Sequence, residues 1–142
     1  MTLTTNRRQL LLGAAATLTL PAYIRRANAQ SVVRVAAVHN DPVENAWNSR
    51  IHLAFLQAAE TGMIEYEFSE AVGATDYPRA MREYAESGVQ LVWGAAYAVE
   101  REAREVAADY PDTAFLMGSS GGPQGDNFGV FGTRNHEAAY LA

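Results

Sequence analysis

Residues 32–68 read VVRVAAVHNDPVENAWNSRIHLAFLQAAETGMIEYEF, and the change of hydrophobic period along this stretch decides the fold. Val32 to Val38 is a nearly unbroken run of valine and alanine, the composition of a strand buried on both faces. A polar loop from His39 to Asn45 follows it. Ile51, Phe55, Ala58 and Ala59 then recur at helical spacing, which predicts a helix from about Trp47 to Thr61 that Gly62 can end. From Met63 to Phe68 the period falls to two, with Ile64, Tyr66 and Phe68 alternating against Glu65 and Glu67. One face of that strand is therefore wet, which places it towards the edge of a sheet.

The same alternation of elements continues downstream. Asp76 stands where it can cap a helix with Pro78 in its first turn, and Ala80, Met81, Tyr84 and Ala85 form an apolar stripe up to Ser87-Gly88. Val89 to Trp93 reads as the third strand. Ala98 to Asp109 reads as a helix with Val99, Ala103, Val106 and Ala107 on its apolar face. Thr113 to Met117 is the fourth strand, Gly118 to Gly125 a loop, and Phe128 to Gly132 a short fifth strand that leads into a helix near Asn135. Repeated strand–helix units of this kind predict an α/β, Rossmann-like parallel sheet with right-handed crossovers and helices on both faces. Ligands of such sheets bind at the carboxyl ends of the strands, which directs attention to the loops His39 to Trp47, Ser69 to Asp76, Gly94 to Tyr97 and Gly118 to Asn127.

Upstream, residues 1–29 read as an export address: Arg7 and Arg8, an apolar run from Leu10 to Leu20, then Ala27-Asn28-Ala29 as the small-residue cleavage site. The paired arginines and alanine-rich core resemble a twin-arginine signal, and the apolar run is far shorter than the roughly 20 residues that span a bilayer. Cleavage near Ala29 would leave a periplasmic domain over 30–142, which is 142 − 29 = 113 residues, the size of one domain. Its 7 arginines (11 − 4) against 16 acids leave a net charge of 7 − 16 = −9, which disfavours nucleic acid as a partner. With no cysteine, disulfides and thiolate metal sites are excluded.

Among the rim loops, Trp47 beside Asn48 either staples the helix start or stacks on a flat ring while the amide bonds its edge. Asn45, with Asn40, Asp41 and Glu44, either binds ligand hydroxyls or forms a solvated turn. Gly94 and its neighbours Ala95 and Ala96 are small enough for a ligand to approach the backbone; Tyr97 reads as a contact and Trp93 as core. The run Gly118 to Gly122 reads as a flexible connection in preference to an anion cradle, since it lacks the GxGxxG pattern and any lysine. His39, His52 and His136 read as scattered surface or loop histidines, and acid pairs such as Glu100 and Glu102 as solvated faces. No nucleophile with a base, metal set or cofactor motif emerges, so the chain reads as a binding protein and not an enzyme.

The order of motifs resembles the basic membrane protein family, the substrate-binding proteins of ABC transporters for purines and nucleosides. Asp41-Pro42-Val43-Glu44-Asn45-Ala46-Trp47 is similar to the family's Gly-Pro-Val-Gly-Asp loop and Gly-Trp step. Gly94-Ala95-Ala96-Tyr97 takes the place of its Gly-Thr-Ser-Phe loop, and Val106 to Phe115 is similar to its Ala-x-x-x-Pro-Asp-x-x-Phe run. Phe131 to Ala142 is similar to its strand-to-helix signature, while the family's His-Asp pair falls on Ile51-His52. The resemblance implies one lobe of a two-lobed periplasmic trap for a purine base or nucleoside, with an ABC permease in the inner membrane as partner. It also implies that the second lobe is absent from this chain and that Trp47, Asn48, Tyr97, Asn45 and Gly94 contact the ligand. A ligand-sensing domain and a non-functional truncated lobe are the alternative expectations.

Overall fold

The computed structural model describes residues 32–132; the leader over 1–29 and the helix expected from near Asn135 lie outside the described residues. Within them the chain runs β1 (Val33–Val38), α1 (Ala46–Glu60), β2 (Ile64–Ser69), α2 (Tyr77–Glu86), β3 (Leu91–Ala95), α3 (Glu100–Asp109), β4 (Ala114–Gly118) and β5 (Phe128–Phe131). The strands form one parallel sheet in the order β2-β1-β3-β4-β5. The half-wet β2 is an edge strand, as its alternation predicts, and the apolar β1 is paired on both sides. The strand order reverses between β1 and β3, and the crevice above that point is where ligands of open α/β sheets sit.

Side chains divide between the two faces by the strand period of two. Ala36, Val38, Val92, Phe115, Met117 and Phe128 project towards α2 and α3 and form the dry core with Tyr77, Met81, Ala103, Val106 and Ala107. The opposite face carries α1, which covers it thinly. Asn48 is the buried residue of that helix, Phe55 stacks on Tyr66 at 5.0 Å, and Leu53 is 62% exposed.

Several element ends differ from their sequence reading. The third strand starts at Leu91, because Val89, although fully buried, still closes the end of α2 by donating its N–H to Tyr84 O at 3.3 Å. Asp76 precedes α2 but makes no capping bond; its carboxylate instead pairs with Arg79 at 3.3 Å. The third helix starts at Glu100, with Val99 outside helical geometry at φ −136° and ψ 31°. Gly62 and Gly88 close α1 and α2 at φ 73° and 81°, the left-handed region in which glycine carries no Cβ penalty.

Candidate functional site

The carboxyl ends of the strands are tied into one rim by backbone bonds between successive loops. His39 N donates to Ser69 O at 2.9 Å and His39 O accepts from Val72 N at 3.0 Å, joining the loops after β1 and β2. Ala96 N donates to Gly118 O at 2.9 Å, joining those after β3 and β4. Ala71, in the second loop, holds φ 52°, a conformation that non-glycine residues keep only where surrounding bonds impose it.

Each residue expected at the site has a definite place on this rim. Asn45 caps α1, its Oδ1 accepting from Trp47 N at 3.1 Å, and so sets the direction in which the helix leaves the rim. Trp47 lies in the first turn of α1 with 47% of its surface exposed. Asn48 is buried, and its Nδ2 donates to Asp41 O at 3.0 Å and Pro42 O at 3.4 Å, so its amide N–H bonds brace the first loop. Tyr97 is 51% exposed and lies across Gly118, where an added Cβ would come 2.8 Å from its ring. Gly94 has a different reason to lack a side chain from the ligand approach expected of it. A Cβ there would lie 1.9 Å from the Tyr77 hydroxyl, which fills the space and donates to Val38 O at 3.1 Å.

The Gly118 to Gly125 segment is not a free connection. The Glu100 carboxylate accepts from the Ser119 hydroxyl, from Ser120 Oγ at 3.0 Å, from Gly121 N at 2.9 Å and from Arg104 at 3.0 Å. Arg104 also donates to Gly122 O at 2.8 Å. The Gly121 backbone donor that an external anion might take is thus filled by the chain's own carboxylate. The Ser119 hydroxyl first, then Arg104, Ser120 and the Gly121 amide, hold the Glu100 carboxyl down at about 2. Glu100 is therefore no part of a solvated acid pair with Glu102.

His39 corrects a second reading: it is fully buried, not a surface histidine, and packs against Trp93 at 5.3 Å and Phe68 at 6.4 Å between ring centroids. A signal for this was present, because His39 continues the alternation of Val35 and Ala37 on the α1 face. Trp93 is core as expected, stacked on Phe131 at 5.5 Å. Of the Glu100 clamp only the pairing with Arg104, four positions on, is local; Ser120 lies 20 positions away and carries no local signal.

Exposed aromatic faces on a braced rim suit noncovalent capture of a flat or ring-shaped solute. Among the described residues no cluster of three possible metal ligands occurs, and no helix is long and apolar enough to cross a membrane.

Residues 32–142 match the family model for Bmp, described as ABC transporter substrate-binding protein PnrA-like. A Haloferax volcanii protein named as an ABC transporter glucose-binding protein, TsgA13, is 34% identical over 79 residues, a stretch covering 56% of this chain and only 20% of that protein. A fragment of a Peptoclostridium difficile lipoprotein superposes with a TM-score of 0.61 at 18% identity, over 77% of this chain and 92% of the fragment. A Conexibacter woesei solute-binding protein of an ABC transporter system superposes with a TM-score of 0.57 at 22% identity, over 71% of this chain and 34% of its own length. At these identities the solved structures speak for the fold alone, a parallel α/β sheet of the Rossmann-like kind.

Proposed function

We propose a function from one premise: this chain belongs to the Bmp family of PnrA-like ABC transporter substrate-binding proteins. It serves as one α/β lobe, residues 30–142, of an extracytoplasmic trap that closes on a small solute and delivers it to a membrane permease. The leader over 1–29 exports it by the twin-arginine route and is cut near Ala29. The solute is a purine base or nucleoside, and its capture involves no covalent step.

The observation that carries this reading is the pair of half-exposed aromatic side chains, Trp47 and Tyr97, on the rim above the reversal of strand order. Each offers one ring face to a ligand. Asn45 supplies polar contacts beside them, while Asn48 and Gly94 act through the first loop and Tyr77, as positioning residues. Glucose is the second reading, favoured by the name of the Haloferax relative and by the equal fitness of aromatic faces for sugar rings.

Calorimetry distinguishes the two. A closed site buries about 70–90% of its ligand, so half a cleft holds too little of it, and the 142-residue chain alone should show no submillimolar affinity for adenosine or glucose. Joined in frame to a second α/β lobe, it should bind adenosine at least tenfold more tightly than glucose. Trp47→Ala should then weaken binding by about tenfold, the worth of a ring stack and its buried area. Preference for glucose transfers the site to the sugar reading, and silence towards both removes the solute-trap function.

A further inference from the structure

The α1 face of the sheet holds a knot of two histidines on one phenol. His39 is fully buried, and its Nε2 lies 3.5 Å from the Tyr66 hydroxyl. His52, half-buried on α1, places Nδ1 3.1 Å from the same hydroxyl, and the two imidazole centroids are 6.2 Å apart. The Nδ1 of His39 has no hydrogen bond of full geometry, although the Asn48 side chain is close enough to favour a charged imidazole.

This knot lies where α1 has few other fastenings. Asn48 is the one buried residue of the helix, Leu53 and Leu56 are exposed, and Phe55 packs on Tyr66 at 5.0 Å and edge-on to Trp93 at 6.1 Å between ring centroids. The groups facing His39 come from three elements. From α1 come His52 and Asn48, from β2 and its loop Tyr66 and Glu70, and from β3 the uncharged Trp93. Glu70 favours a charged His39, but one of its oxygens already accepts from Val43 N at 2.8 Å.

We propose that His39, His52 and Tyr66 form an acid-operated latch: with an uncharged imidazole available the shared phenol closes the knot and holds α1 to the sheet, and with both imidazoles charged the helix lifts. Two like charges at this separation, one of them on the fully buried His39, repel more strongly than they would in open solvent.

Burial lowers the His39 pKa below its ordinary value of 6.5, so the folded state resists the proton that the unfolded state accepts. The stabilisation is therefore complete above about pH 6.5 and is lost as pH falls from there through the lowered folded value. Because α1 carries Trp47 and the Asn48 brace, its lifting opens the first rim loop. Release of solute in acid would follow; that consequence rests on the proposed function, whereas the latch itself does not.

The test needs no ligand. Amide hydrogen exchange is measured on the 142-residue chain at about pH 7.5 and pH 5.0 and corrected for the intrinsic pH dependence of exchange. Protection across α1 should fall by about tenfold or more, while α2 keeps its protection. His52→Gln removes the second charge at a half-exposed site and should reduce the acid loss in α1 to a few-fold. The latch is overturned if α1 and α2 lose protection in parallel, if neither loses any, or if the His52→Gln chain responds to acid as the parent does. Absence of adenosine and glucose binding once a second lobe is joined would count against the solute-trap reading alone.

Discussion

Replacing Gly94 by alanine tests the assignment of this glycine to the core. The new Cβ would lie 1.9 Å from the Tyr77 hydroxyl oxygen, 3.1 Å from Tyr77 Cζ and 3.1 Å from Val38 O. Strand β3 is pinned on both sides by β1 and β4, so the backbone has little room to retreat, and Tyr77 is fully buried. The phenol must withdraw. Overpacking of this kind costs about 1–3 kcal/mol, and stripping a buried hydroxyl of its acceptor costs about 1–3 kcal/mol more. A total of about 2–6 kcal/mol is expected, a large share of the roughly 5–15 kcal/mol that holds a typical domain together.

Tyr77→Phe removes only the hydroxyl and its bond to Val38 O, and should cost about 1 kcal/mol. In the double variant the alanine methyl group occupies the space the hydroxyl leaves, so the two losses should fall short of their sum by about 2 kcal/mol. Urea unfolding of the four chains, followed by far-ultraviolet circular dichroism, measures the cycle. Additivity within about 0.5 kcal/mol, or a loss below about 1 kcal/mol for Gly94→Ala, would refute the claim that this glycine exists to seat Tyr77.

Two further substitutions probe the rim. Asn48→Ala should destabilise the chain by about 1–3 kcal/mol, because the carbonyls of Asp41 and Pro42 lose their shared amide donor and a buried side chain is removed; urea unfolding reads this directly. Glu100→Gln should weaken the chain at neutral pH. Because the folded Glu100 carboxyl sits at about 2, below its ordinary value of 4.5, its contribution is complete above about 4.5 and lost as pH falls through about 2. The stability gap between parent and variant should therefore shrink across that acid window, and a gap independent of pH would contradict the clamp.

Much of the fold is legible from local pattern. The valine-rich β1 and the half-wet β2 declare their positions in the sheet, and Gly62 and Gly88 mark helix ends through the conformations they permit. Boundaries are less legible where a residue serves two elements. Val89 reads as strand because it is apolar and buried, yet its N–H closes α2. Asp76 stands at a capping position, but the nearby guanidinium of Arg79 engages its carboxylate. At the rim, Tyr97 was readable as a contact residue, whereas Trp47 stayed open between a staple and a stacking ring, and the roles of Asn48 and Gly94 depended on what lay opposite them.

By itself the sequence determined the alternation of strand and helix, and hence a parallel α/β sheet with its loops gathered at one rim, because hydrophobic period is a property of neighbouring residues. Only the tertiary structure decided that Glu100 fills the turn after β4, that Tyr77 occupies the space above Gly94, and that His39 and His52 share Tyr66. Those assignments depend on distances between segments far apart in the chain, which the packing of helices on the sheet sets and no local period encodes.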